Sequence, residues 1–351
     1  MHVSKGILNA LTAAALFGAS TPIAKTLVGE IQPVLLAGLL YAGSGLGLAL
    51  GLVLRRATRK EKAPAFEWPR GSEVGWLVAA ILFGGVLGPV LLMQALTSTS
   101  ASATSLLLNL EAALTAILAW FAFGENFDRR IAAGMALIVT GGIVLSWMPG
   151  DLAVSPGALL VGAACLCWAI DNNLTRKVSG SDAMVIACLK GLVAGAVNIG
   201  VALTLGTARP PLHAIAAAAI VGLAGYGISL ALFVLALRDL GAARTGAYFS
   251  VAPFFGAALA VAVQHEPVTA PLVVAAGLMA SGVWLHLSEV HAHLHRHDLL
   301  VHSHSHVHDE HHRHRHDADW DGAEPHTHRH VHRPMWHAHP HYPDIHHQHK
   351  H

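Results

Sequence analysis

Charge is scarce in this chain of 351 residues. Asp, Glu, Lys and Arg together make up 12% of it, against about a quarter in soluble domains. That shortage sets a water-soluble globule aside. Cysteine is rarer still: Cys165, Cys167 and Cys188 lie in apolar stretches with no CxxC spacing, which excludes a disulfide framework. In a helix Cys165 and Cys167 point about 200° apart and cannot share a ligand. Enzyme signatures are missing as well, with no Walker loop, HExxH or GxSxG. The first 287 residues hold only His2, His213, His265 and His286 of the 27 histidines.

What fills the chain instead is apolar residue, 54% of it, in long runs. A run of about 20 such residues spans the hydrocarbon of a bilayer as a helix. Read between charged or Pro/Gly breaks, the runs predict ten transmembrane helices. They cover residues 6–28, 32–54, 73–96, 101–122, 130–148, 156–175, 183–206, 212–237, 242–263 and 269–287. Only the basic stretch "RRATRKEKAPAFEWPRG" is a long connection. The expected class is an all-α integral membrane protein, its N-terminal run retained as the first span rather than removed as a leader. Lysine and arginine orient it. With the N-terminus cytoplasmic, Arg55, Arg56, Arg59, Lys60, Lys62, Arg70, Arg129, Arg130, Arg176, Lys177, Arg238 and Arg244 all fall inside, and only Lys25 and Arg209 fall outside. An even number of spans makes the C-terminus cytoplasmic too, in a cell (inner or plasma) membrane.

The chain repeats itself. At a constant offset of 141, Ala95 meets Ala236, Thr104 meets Thr245, Glu125 meets Glu266 and Gly141 meets Gly282. Near the start of each half, "LFGASTPIAK" matches "LCWAIDNNLTR" at an offset of 151. Five helices is an odd number, so tandem units of five run in opposite senses, an inverted repeat of the kind found in alternating-access carriers. The expected units are 5–148 and 156–287, followed by a tail, 288–351.

The "FGE" and "QHE" that end each fourth helix, with "WAIDNNLTRK" in the sixth, resemble the drug/metabolite transporter superfamily, EamA type. The resemblance covers residues 6–287. It implies a cavity lined by the first four helices of each half, with the fifth packed outside. It also implies export of amino acids, other metabolites, toxic compounds or, in some branches, metal cations; fold does not fix substrate.

Ionisable residues at membrane depth are functional candidates by default. Glu111 lies mid-helix, on one face with Thr104 and Thr115 by helical spacing. A carboxylate there can bind a cation or carry a proton, or simply hydrogen-bond to a neighbouring helix. Asp171, with Asn172, Asn173 and Trp168, lies within the sixth helix. Lys190 is placed to pair with Asp171, either as an entrance element or as an offset of two buried charges. Lys25 is expected to snorkel, and His213 and His265 to be interfacial. Pro22, Pro89 and Pro253 with Gly84, Gly85 and Gly88 suit kinks and close packing.

The tail changes composition abruptly. Histidine recurs at nearly every second position: His291, His293, His295 and His297; His302, His304, His306 and His308; His311, His312, His314 and His316; His326, His328, His330 and His332. With no apolar periodicity for a core, the tail is expected to be disordered. Neutral imidazole ligates nickel, cobalt and zinc, and Asp309, Asp317 and Asp319 can complete such sites. A pH sensor and low-complexity drift are the competing readings.

Three functions follow. The first is a proton-driven exporter of divalent transition-metal cations (Ni, Co or Zn), with Glu111 as coupling carboxylate and the tail collecting exchangeable metal. The second is an exporter of amino acids or other small metabolites, with the tail as buffer. The third is a non-transporting metal sensor. None uses a tightly bound cofactor or a nucleic acid; the lipid bilayer is the constant partner, and a homodimer is left open.

Overall fold

In a medium without water every backbone polar group must be satisfied within the chain, so long apolar runs become helices. The structure is a computed structural model. It describes residues 5–58, 72–123, 129–147, 155–175, 183–240, 242–287, 292–297, 300–306, 326–332 and 335–340. Up to residue 287 these are helical. Helices α1 (Lys5–Leu27) and α2 (Pro33–Thr58) are continuous. Helix α3 covers 72–96 as Ser72–Ala80, a π-helical stretch Ile81–Leu87 and Gly88–Leu96. Helix α4 covers 101–123 as Ala101–Leu107 and Leu110–Phe123. Then come α5 (Arg129–Ser146), α6 (Pro156–Thr175) and α7 (Ala183–Thr204). Helix α8 covers 212–240 as Leu212–Gly222, a π-helical Leu223–Ile228 and Ser229–Leu240. Helix α9 covers 242–264 as Ala242–Phe249 and Ala252–Gln264, and α10 is Ala270–Leu287.

Eight of these are long and apolar enough to cross a membrane, and Ala252–Gln264 and Ala270–Leu285 are shorter apolar helices. The ten expected spans are therefore present, but four of them are not the continuous helices that apolar periodicity predicts. The interruptions recur at repeat-related places. Both π-helical stretches are glycine-rich, carrying Gly84 and Gly85 in one and Gly225 and Gly227 in the other. The breaks in α4 and α9 also correspond. In α4 the Asn109 amide donates to the Leu106 carbonyl (2.9 Å), competing with the helix for its own backbone.

Packing follows small residues. Antiparallel α2 and α7 meet at Gly38 against Ile199, Ala42 against Gly195 and Gly45 against Gly191. Helix α5 packs on its own repeat counterpart α10, where a Cβ at Gly282 would strike the Gly134 carbonyl. The largest apolar cluster joins Leu36 and Leu40 of α2 to Leu92, Met93 and Leu96 of α3 and Val161 of α6. Large apolar side chains elsewhere, such as Leu50, Phe121, Leu159 and Trp284, face outward, as a lipid-facing belt does.

Residues 289–351 form a separate unit. Its described parts are four strands: β1 (Ala292–His297), β2 (Leu300–His306), β3 (His326–His332) and β4 (Met335–Pro340). β1 pairs antiparallel with β4, and β2 with β3. His-x-His alternation has period two, that of a strand.

Candidate functional site

Proline 89 organises the middle of α3. It has no N–H, so it leaves without a donor both the Gly85 carbonyl, its α-helical partner, and the Gly84 carbonyl, its π-helical partner. In a membrane such groups need side-chain partners. Gly84 O accepts from the Tyr41 hydroxyl of α2 (2.7 Å) and from Trp168 Nε1 of α6 (2.9 Å). Gly85 O accepts from Asn198 Nδ2 of α7 (3.1 Å). Four helices thus converge on one turn. Gly84 must be glycine, because a Cβ there would overlap the Asp171 carboxylate.

Asp171 is buried and paired. Lys190 Nζ of α7 lies 2.6 Å from both of its oxygens, and the Thr175 hydroxyl donates to Oδ1 (2.9 Å). The Lys190 side chain is 17% exposed and that of Asp171 8%. The expected pair therefore forms, and it neutralises two charges that would be costly alone.

Glu111 opens the second segment of α4. It sits in the first turn of Leu110–Phe123, where the helix dipole favours a negative charge. Its Oε1 accepts from Asn172 Nδ2 (2.9 Å), which also reaches Thr115 Oγ1 (3.3 Å). Asn173 Nδ2 bonds to the Thr115 and Ala169 carbonyls. Asn172 is exposed, yet it lies about 120–140° around α6 from the outward-facing Leu159 and Leu166. Its exposed side is thus not the face that carries Leu159 and Leu166. Glu111 lies within electrostatic reach of both Asp171 and Lys190. Nearby, Tyr41 packs at a tilt against Tyr226 (centroids 5.7 Å apart), which meets Phe17 edge-on at 5.8 Å.

The opposite end of the bundle, where α1 finishes, is tied together by side-chain bonds to the main chain. Lys25 Nζ donates to the carbonyls of Leu96 (2.5 Å) and Thr99 (2.9 Å). Glu266 accepts from the amides of Ala101 (2.7 Å) and Ser102 (2.8 Å) at the start of α4. Gln264 Nε2 donates to the Pro22 carbonyl (2.5 Å). Lys25 therefore caps a helix end, rather than snorkelling, because the orphan carbonyls of α3 lie within its reach. His213 faces Glu30 across 3.0 Å at the surface, and His265 takes a left-handed conformation ending α9.

The structure brings Glu111, Thr115, Asn172 and Asn173 into one hydrogen-bonded cluster, with Asp171, Lys190 and Trp168 beside it. Thr104 does not join: the break at 108–109 puts it in a separate segment, fully buried, its hydroxyl without a partner among the described residues. Tyr41 and Asn198 were missed. The signal for them was Gly84 and Gly85 five and four residues before Pro89. All three cysteines are free and buried; Cys165 Sγ contacts the Leu107 carbonyl at the α4 break. Among the described residues searched, no group of three His, Cys, Asp or Glu could hold a metal. His293, His295, His297, His302, His304, His306, His326, His328, His330 and His332 occupy strand positions. His291, His308, His311, His312, His314 and His316 lie outside the described residues, as does Glu125.

Known proteins agree with this architecture. The EamA-like transporter family matches residues 4–147 and again 155–288. An uncharacterized transporter of Methanothermobacter thermautotrophicus is 28% identical over 295 residues, covering 80% of this chain and 85% of that one. The uncharacterized transporter YyaM of Bacillus subtilis is 25% identical over 285 residues, 76% of this chain and 90% of that one. One crystal structure, 19% identical, superimposes with a TM-score of 0.58 over 81% of this chain and 96% of that chain. That likeness speaks to fold alone.

Proposed function

The chain belongs to the EamA-like transporter family, and from that premise we propose a secondary carrier that exports small amino-bearing metabolites in exchange for protons. The observation that carries this reading is the Glu111–Asn172–Thr115 cluster beside the Lys190–Asp171 pair. A carboxylate, an amide oxygen and a hydroxyl are the acceptors a protonated amine needs. Lys190 offers a counter-charge for a carboxylate on the same solute. The file Tyr41–Tyr226–Phe17 supplies aromatic surface of the kind that lines organic-solute pockets. Proton and ammonium group compete for one carboxylate, so occupancy by either displaces the other. With both termini cytoplasmic, the polar cluster at Asn172 faces the cytosol and the seam at Lys25 and Glu266 faces outside. The activity is movement of solute, with no chemical conversion.

Divalent metal export is the second reading, favoured by the histidine-rich tail. The membrane cluster fits it less well, since nickel, cobalt and zinc prefer nitrogen and sulfur donors and this cluster offers oxygen. Proteoliposomes decide between the two. Counterflow of labelled amino acids or amines should be driven by an imposed pH gradient and fall about 100-fold in Glu111→Gln, roughly 2.7 kcal/mol of barrier. Gradient-driven Ni²⁺ or Co²⁺ flux with no organic counterflow would replace the first reading by the second. Unchanged counterflow in Glu111→Gln would remove the coupling role.

A further inference from the structure

Helix α4 breaks where its amides shorten their reach. Those of Asn109, Glu111 and Ala112 bond three residues back, to the carbonyls of Leu106 (3.0 Å), Leu108 (3.1 Å) and Asn109 (3.2 Å). Such a turn advances about 120° per residue, against about 100° in an α-helix. Three residues of it rotate Glu111 by about 60° from the position an unbroken helix would give it. The Leu107 carbonyl, which the Glu111 amide would meet in an α-helix, accepts no main-chain N–H among the described residues.

A thiol fills that gap. Cys165 of α6 is fully buried. Its Sγ donates to the Leu107 carbonyl (3.7 Å) and accepts from the Glu111 amide. Those are the two ends of the missing bond, so the thiol stands within the helix's own ladder, one of the insertions that bend a helix. Seven residues on, two turns along the same face of α6, Asn172 Nδ2 donates to Glu111 Oε1 (2.9 Å). Helix α6 thus holds Glu111 twice, by its main chain and by its carboxylate. The related half is broken between Phe249 and Ala252 but has neither group: Ala14 stands for Cys165 and Ala252 for Glu111.

We infer that Cys165 is a positioning residue for Glu111, its thiol holding α4 broken so that the carboxylate is aimed at Asn172. Its weight in transport rests on the proposed role of Glu111 as the coupling carboxylate. A thiol is a weak donor and a weak acceptor, enough to satisfy two buried main-chain groups and weak enough to release them. Without it the Glu111 amide is free to take the Leu107 carbonyl. That bond continues the α-helix and turns the carboxylate away from Asn172 and Thr115. Asp171, Lys190 and Tyr41, all within electrostatic reach of Glu111, keep their own partners, since none of them is held through Cys165.

Infrared spectra of the full chain in nanodiscs, each subtracted from its Glu111→Gln counterpart, isolate the Glu111 carboxyl band. Cys165→Ala should shift that band, as Asn172→Ala should. Cys165→Ser, which keeps a donor and an acceptor, should leave it at the wild-type frequency. An unshifted band in Cys165→Ala, or equal shifts in the alanine and serine variants, would mean that the thiol only fills space, and would overturn the assignment. The band needs no transport. A wild-type protein that moves no amine or amino acid would refute the proposed function and still leave the band to decide the role of Cys165. In counterflow, Cys165→Ala should raise KM about tenfold, the scale of one hydrogen bond to a charged group, and Cys165→Ser should restore it. The maximal rate should stay within about twofold of wild type, as for a loss of binding alone; a fall in maximal rate at unchanged KM would sink the positioning role.

Discussion

Helices α1 and α9 meet in the same way that α6 and α4 do, since the repeat maps one pair onto the other. Their chemistry is opposite. At the α1–α9 contact Gly18, Ala252 and Gly256 let the backbones approach until a Cβ at Gly18 would strike the Ala252 carbonyl. The equivalent positions at α6–α4 are Ala169, Glu111 and Thr115, and Ser20 and Thr21 become Asp171 and Asn172. One contact is a dry, small-residue seam; the other is polar and exposed at Asn172. An inverted repeat thus supplies two copies of a scaffold and leaves each free to specialise. Here substitution at a handful of positions separates a small-residue contact from a polar one.

The comparison can be broken by experiment. Lys190→Met alone leaves Asp171 buried and unpaired, a loss of about 3–5 kcal/mol, read as collapse of the thermal midpoint in detergent. Asp171→Leu with Lys190→Met should recover most of that stability while transport stays low. If the single variant is as stable as wild type, the pair is not the anchor of the polar side. Ala252→Glu copies the Glu111 carboxylate into the dry seam and should cost about 3 kcal/mol, seen as loss of monodisperse protein; a well-folded variant would show that the two contacts are interchangeable. Asn172→Ala should raise KM about tenfold, the worth of one hydrogen bond to a charged group, without lowering the thermal midpoint. Glu266→Gln keeps an acceptor but loses charge at a helix start. It should lower the midpoint only slightly, by about 0.5–1 kcal/mol, and increase labelling of a cysteine placed at the Lys25 end of the bundle.

Much of this architecture is legible in the residues. Ten apolar runs locate ten spans, because span length is set by the bilayer and needs no tertiary information. The repeat is legible for a similar reason: Glu125 and Glu266 keep a fixed offset. Asp171 with Lys190 could be paired on depth alone. The π-helical turns of α3 and α8 could not be read, since glycine and Pro89 signal a disturbed helix without saying which carbonyls are freed. Helical spacing puts Thr104 on the Glu111 face only if α4 is unbroken, and Asn109 breaks it. The role of Lys25 depends on the neighbouring α3 end that it caps, which no local pattern reveals.

The seam at the Lys25 end has a mutational signature. Lys25, Gln264 and Glu266 all bond to main-chain atoms, those of Leu96, Thr99, Ala101, Ser102 and Pro22. A backbone carbonyl or amide persists whatever side chain is attached to it. Sensitivity in a saturation scan should therefore be one-sided for these bonds: intolerance at the three reaching residues, and tolerance of apolar residues of similar size at Leu96 and of small residues at Thr99, Ala101 and Ser102. The tie at this end is written into three side chains and can drift almost everywhere else.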